Sequence, residues 1–176
     1  CTGGRSMTNI MKTIKATGMA EKIGIYIHSA TDNAVLKPLG MNAPEGVMGT
    51  IDYHFYFPEY STNKQFVDAF KAAYGTPPGF PAYQAYLTAH FIAEAFKKAG
   101  AVDKEKFVDA LEGLKIDSPT GKVEMRACDH QAILPMYFGV TKLSPELGVA
   151  ISSDIMTLRG AEVMPSCKEV MEARAK

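Results

Sequence analysis

Thr76-Pro77-Pro78-Gly79-Phe80-Pro81-Ala82-Tyr83-Gln84-Ala85-Tyr86 opens a segment that stays apolar as far as Ala99-Gly100, and its reading decides the fold. The Pro/Gly cluster is a turn. From Ala82 to Ala99 apolar residues fall almost all round a helical wheel, the pattern of a helix buried on most sides. Asp103 then caps a shorter helix that turns Phe107, Leu111 and Leu114 inward. Past the turn at Pro119 and Gly121, residues 122–126 and 133–141 read as strands.

Upstream, Gly3-Gly4-Arg5-Ser6 reads as a turn into a helix with Ser6 at its cap. Ile10, Met11, Ile14 and Met19 recur at helical spacing, and Gly18 ends that helix. Ile23 to Ile27 is a short β-branched run and reads as a strand. The loop His28-Ser29-Ala30-Thr31-Asp32-Asn33 follows, with a short helix at 34–39. Residues 47–57 form a second strand candidate closed by Pro58, and 63–74 an amphipathic helix with Phe66 and Phe70 on one face. Downstream, 151–158 reads as a strand and 166–175 as a tail helix. Alternating strands and helices predict an α/β fold with a parallel sheet.

Composition narrows the function. With 176 residues, 47% hydrophobic and 22% charged, the chain is ordinary globular material. Lysines and arginines number 19 and acids 19, so no basic surface points to nucleic acid or an anionic membrane. No apolar run approaches the roughly 20 residues of a membrane span. The three cysteines, Cys1, Cys128 and Cys167, form no Cys-x-x-Cys pair, which speaks against zinc and thioredoxin-like chemistry. In an exported protein Cys128 and Cys167 would pair, stabilising by ~4 kcal/mol on the loop-entropy argument. The alternative is three buried thiols. No metal or organic cofactor is implied.

Taken together, the Gly3-Gly4 opening, the 76–100 segment, Ser118-Pro119-Thr120-Gly121-Lys122-Val123-Glu124-Met125-Arg126, Asp129-His130-Gln131 and Pro135-Met136-Tyr137-Phe138-Gly139-Val140 form an ordered set of motifs. In that order and spacing they resemble the carboxy-terminal half of the branched-chain amino acid (Leu/Ile/Val-type) family of periplasmic solute-binding proteins. The resemblance implies a type I periplasmic-binding-protein fold, in which two α/β lobes joined by hinge crossovers close on a ligand. On that map residues 1–50 belong to the second lobe, 51–57 cross over, and 58–136 complete the first lobe. Residues 137–142 cross back, and 143–176 return to the second lobe and a tail helix. A Gly-Gly turn that normally follows a strand opens the chain, so it reads as a carboxy-terminal fragment whose amino-terminal half would be a partner.

The resemblance also implies ligand-binding positions. The contact after the Gly-Gly loop falls at Arg5 or Ser6, and an aromatic packing on the ligand falls at Tyr83. The acidic residue that meets a ligand's ammonium in the family is replaced here by Ser29. A buried ammonium without a carboxylate is costly, whereas Arg5 offers a planar fork to a carboxylate. The expected ligand is therefore a small amino acid or a hydrophobic organic acid. The expected partners are ABC permease subunits, in the periplasm or at the outer face of the membrane.

Two rivals remain at this stage. One keeps the fold but makes it a ligand-sensing module of a receptor or regulator. The other is an enzyme using Cys128 with His130, or Cys167, as nucleophile and base, though no oxyanion-type loop surrounds Cys128.

Overall fold

A computed structural model describes residues 4–175. In chain order the elements are α1 (Arg5–Thr17), β1 (Ile25–Tyr26), α2 (Asn33–Leu36), β2 (Val47–Ile51), α3 (Ser61–Tyr74), α4 (Phe80–Ala99) and α5 (Lys104–Leu111). There follow β3 (Lys115–Ser118), β4 (Gly121–Glu124), β5 (Met136–Ser144), β6 (Val149–Leu158), α6 (Gly160–Val163) and α7 (Cys167–Arg174). They fall into two compact units. One contains the residues up to His54 together with Met136–Leu158, and the other Phe55–Pro135 with the residues from Arg159 onward.

The first unit is built on a four-stranded sheet of order β1-β2-β5-β6. β1 and β2 are parallel, while β2 with β5 and β5 with β6 are antiparallel, so the all-parallel expectation is corrected to a mixed sheet. For β5 and β6 the reason is local. β5 and β6 are joined by the four residues 145–148, and only antiparallel neighbours can be connected so briefly. Thr141 couples the long-range pair: its hydroxyl donates to the Pro44 carbonyl at 2.8 Å and accepts from the Val47 amide at 3.0 Å. On one face α1 buries Met7, Met11 and Ile14 against Val35, Leu36, Leu39 and Val47. Spacings of four and three residues put those three side chains on one stripe. Ile10 is exposed, and so is Met19, which lies beyond the end of α1. Ser6 does not cap the helix, because the helix has already begun at Arg5 and Gly4 holds the cap position. β2 stops at Ile51 instead of running to residue 57.

The second unit packs α3, α4 and α5 with the β3–β4 hairpin. Tyr83, Leu87, Phe91 and Ala95 form the buried stripe of α4, whereas Ile92 and Phe96 are exposed. The expected burial on most sides is thus corrected to burial along one stripe. Asp103 caps α5 as expected, accepting from the Lys106 amide at 2.9 Å. Cys128 and Cys167 are joined by a disulfide with Cα atoms 5.7 Å apart. The Arg126 guanidinium donates to the Pro165 carbonyl at 2.6 Å, and Arg174 donates to the Cys128 carbonyl at 3.0 Å. These bonds hold the segment from Arg159 in this unit.

Candidate functional site

The expected positions Arg5, Ser6 and Ser29 fall in the first unit, near the carboxyl end of β1, where open α/β sheets hold their ligands. α1 leads directly into β1, so the start of the helix lies at the end of the sheet where β1 finishes. The apolar cluster agrees, since it contains both Met7 in the first turn of α1 and Ala30 in the loop after β1. At that start no side chain caps the helix amides among the described residues. First-turn N–H groups and the helix dipole both favour an anion there. Arg5 and Ser6 occupy that turn and are exposed. The Arg5 guanidinium has no ion-pair or hydrogen-bond partner among the described residues.

The loop 28–32 is held flat on β2. Ser29 sits in the left-handed region at φ 66°, a conformation costing an L-residue roughly 1–2 kcal/mol. Its amide donates to the Thr50 carbonyl at 3.0 Å, and its own carbonyl accepts from the Asp32 amide at 3.0 Å. Its half-buried side chain has no hydrogen-bond partner among the described residues. Gly49 makes this approach possible, because a Cβ there would lie 3.0 Å from the Thr31 amide nitrogen and 3.1 Å from the Ala30 Cβ. Thr50 then anchors two exposed side chains: its hydroxyl lies 2.8 Å from the Tyr26 hydroxyl and 3.0 Å from His28 Nδ1. Tyr26 also stacks on Phe138, with ring centroids 6.3 Å apart.

Beneath the loop the polar groups are buried. Asp32 is 3% exposed and caps α2 by accepting from the Ala34 amide at 3.1 Å. Burial pushes its carboxyl above the ordinary carboxylate range, and the charge of Asp52 pushes the same way, against the opposing Ala34 hydrogen bond. Asp32 is therefore engaged as the cap of α2 beneath the loop. His54 is 1% exposed and packs on Tyr137 with centroids 5.9 Å apart. Burial lowers its pKa to about 4, so it is neutral at physiological pH.

The four sequence-predicted positions are distributed unequally. Arg5, Ser6 and Ser29 lie in the first unit and Tyr83 in the second. Tyr83 is fully buried; its hydroxyl lies 2.5 Å from Thr120 Oγ1, which in turn lies 3.2 Å from Ser118 Oγ. It locks α4 onto the turn of the β3–β4 hairpin. Sequence reasoning passed over Tyr26, Thr50 and Gly49. The signals were there: Tyr26 and His28 alternate onto one strand face, and a glycine inside a strand marks close backbone approach.

The enzyme reading fails on geometry. Cys128 is in the disulfide, Asp129 is held by Arg126, and His130 Nε2 lies 3.0 Å from Glu112 Oε1 on the surface.

Residues 1–144 match the periplasmic binding protein family. Over 91 residues, 52% of this chain, the sequence is 33% identical to a leucine-, isoleucine-, valine-, threonine- and alanine-binding protein of Pseudomonas aeruginosa, covering 24% of that protein. The fold is similar to that of an amino acid ABC transporter substrate-binding protein from Pseudomonas fluorescens Pf-5, with TM-score 0.80 and 24% identity over 94% of this chain and 44% of that one. It is also similar to an ABC transporter solute-binding protein from Rhodopseudomonas palustris BisB5 in complex with 3,4-dihydroxybenzoic acid. There the TM-score is 0.74 at 22% identity, over 91% of this chain and 44% of that one. The chain thus spans less than half the length of the proteins it matches.

Proposed function

This chain belongs to the periplasmic binding protein family, and from that premise we propose that it serves the capture of a small carboxylate-bearing solute for an ABC importer. Capture takes place outside the cytoplasmic membrane, and permease subunits receive the loaded protein. Closure of two lobes about a hinge is the mechanism, because a ligand that makes its full set of contacts only in the closed state shifts the population toward it.

The observation that carries the ligand class is the pairing of a free cation with a missing anion. Among the described residues Arg5 stands at a helix start without a side-chain cap and its guanidinium has no partner, while the loop after β1 presents Ser29 and keeps its nearest acid, Asp32, buried as a helix cap. A carboxylate gains two parallel N–H···O bonds from the guanidinium and further donors from the helix amides. An α-ammonium finds no exposed acid in this loop. The reading therefore favours a hydrophobic organic acid over an amino acid, on the same scaffold that serves amino acids in the Pseudomonas relatives and a hydroxylated benzoic acid in the Rhodopseudomonas protein.

Calorimetric titration of the full natural polypeptide against a panel of aliphatic acids, aromatic acids and branched-chain amino acids tests this. At least one acid binds saturably, and Arg5→Ala weakens it tenfold or more. Unchanged affinity in Arg5→Ala would overturn the placement of the carboxylate.

A further inference from the structure

β1 lies at one edge of the four-stranded sheet and β6 at the other, and the two edges are built differently. One residue of β5 separates Phe138 from Val140, while two residues of β6, Asp154 and Ile155, separate their partners Met156 and Ser153. β6 therefore carries a bulge, with Asp154 exposed and in the left-handed region at φ 51°. The Ser153 hydroxyl lies 3.1 Å from the Asp154 carboxylate. A bulge and a charge are the features that keep an edge strand from pairing further.

β1 has no such guard. Ile27 and Ser29 turn their amides to β2, donating to the Met48 and Thr50 carbonyls at 3.0 Å each. Successive residues of a strand turn their backbone groups to opposite sides, so the N–H and C=O of Tyr26 face away from β2. No strand pairs there among the described residues. The same edge opens a groove of about 580 Å³ between α1 and β1, lined by Ile10, Thr13, Met19, Ile23, Ile25 and Ile27. Ile10, Met19 and Ile23 are exposed, and no charged side chain among the described residues lines the groove. An added strand needs both features: main-chain bonds along an edge, and an apolar trough for every second side chain.

The direction of that strand follows from the crossover. α1 leads into β1 and packs on one face of the sheet. A strand joined to β1 through such a helix runs parallel to it in the same sheet, and β2 already occupies one side of β1. The free edge is the adjoining place left. Gly4, at φ 55°, supplies the turn into α1. This chain accounts for 44% of the Pseudomonas fluorescens protein whose fold it matches. We infer that the β1 edge is a docking surface for one strand, parallel to β1, from the part of the natural polypeptide upstream of residue 4, whose alternate apolar side chains fill the groove beside α1. The inference goes beyond the solute-binding reading and is the same whichever ligand is bound.

The test is amide hydrogen exchange by NMR on the full natural polypeptide, with backbone NOEs, followed by its Ile10→Glu and Met41→Glu variants. Met41 is comparably exposed but lies outside the groove. Glutamate suits a helix surface in water, so it harms α1 only where Ile10 is covered. The Tyr26 amide exchanges about a hundredfold more slowly than an unprotected amide, in step with Ile27, and its backbone NOEs reach a residue upstream of residue 4. Ile10→Glu lowers the thermal midpoint by roughly 5 °C or more, and Met41→Glu leaves it unchanged. Rapid exchange at Tyr26 beside a protected Ile27, or an Ile10→Glu variant as stable as Met41→Glu, would overturn the docking surface. So would Tyr26 protection that disappears on dilution, which marks a second copy at the edge. The solute-binding reading stands or falls separately, on the titration of Arg5→Ala.

Discussion

Two tight loops, one in each unit, place a non-glycine residue in the left-handed region: Ser29 at φ 66° and His130 at φ 56°. Both are rich in Asp, His, Ser or Gln, and read as sequence either one passes for a functional site. Their surroundings separate them. In the turn at 125–132, the Arg126 guanidinium grips both oxygens of Asp129, whose side chain is 1% exposed, and also reaches the Pro165 carbonyl. His130 is engaged by Glu112, Cys128 is oxidised, and Arg174 donates to its carbonyl. The polar atoms of that turn are consumed in anchoring the tail. In the loop at 28–32 the backbone makes the anchoring bonds to β2, the acid is buried underneath, and Ser29, His28 and Tyr26 are left toward the surface. Of the polar side chains in that loop, Ser29 makes no hydrogen bond among the described residues, whereas His28 reaches Thr50 and Asp32 caps α2.

The contrast gives each region its own weakness, and the largest expected effect belongs to the tail. Opening the Cys128–Cys167 bond, by Cys167→Ser or by reduction, releases a closure of 39 residues and destabilises the second unit by up to about 4 kcal/mol. Amide hydrogen exchange in reductant should show protection lost across the tail and the 125–132 turn, and retained in α1 and β2. Equal loss in both units would break the contrast.

Acid should act the other way round. The pKa of His54 is lowered to about 4 in the folded protein against 6.5 for the free side chain, a difference of about 2.5, and thus about 3 kcal/mol at most. For a base with a depressed folded value, the unfolded chain takes up the proton first. The stabilisation is therefore complete above about pH 6.5 and is lost as pH falls toward about 4. Asp129 is held below its ordinary 3.8, chiefly by its hydrogen bonds to Arg126, so its contribution survives until pH falls below that value. Between pH 6.5 and 4 the His54 contribution is lost from the first unit, against the opposing effect of Asp32, which is held above its ordinary value, while the Asp129 contribution to the second is kept. His54→Gln, which does not titrate, should flatten the stability profile in that window, as chemical denaturation across pH would record.

The third effect sharpens the role of the loop. Gly49→Ala places a methyl group against the Thr31 amide and the Ala30 side chain, which must shift by a few tenths of an ångström. Overpacking of this kind costs about 1–3 kcal/mol and lifts the loop that carries Ser29. Ligand affinity and thermal stability should fall together in this variant. The smallest stability effect is expected for Arg5→Ala, within about 0.5 kcal/mol, because the side chain is exposed and unengaged. A larger loss of stability would make Arg5 a structural residue and remove it from the site.

Much of this was legible in the chain itself. Periodicity located α3, α4 and α5, Gly18 and Gly100 ended their helices in left-handed caps, and Asp103 capped its own. Of the α1 residues at helical spacing Met11 and Ile14 are buried and Ile10 is exposed, while Met19 lies beyond the end of the helix. β3 was missed because Lys115-Ile116-Asp117-Ser118 contains a single apolar residue, and only its pairing with β4 makes it a strand. The mixed sheet was invisible because its direction is set by which distant strands meet, β2 with β5 above all. Arg5, Ser6 and Ser29 came from motif order rather than periodicity. Tyr83 came from the same source but is buried against Thr120, since a tyrosine at helical spacing beside three other inward residues is first of all core.

The central claim is that this site reads a carboxylate and lacks the acid that would read an ammonium. Leucine and 4-methylpentanoate differ only by the α-amino group, so titrating both into the full natural polypeptide and into its Ser29→Glu variant isolates that term. The account predicts that the unaltered protein prefers 4-methylpentanoate and that Ser29→Glu shifts the preference toward leucine by tenfold or more. A clear preference for leucine in the unaltered protein, or no change of preference in Ser29→Glu, would contradict it.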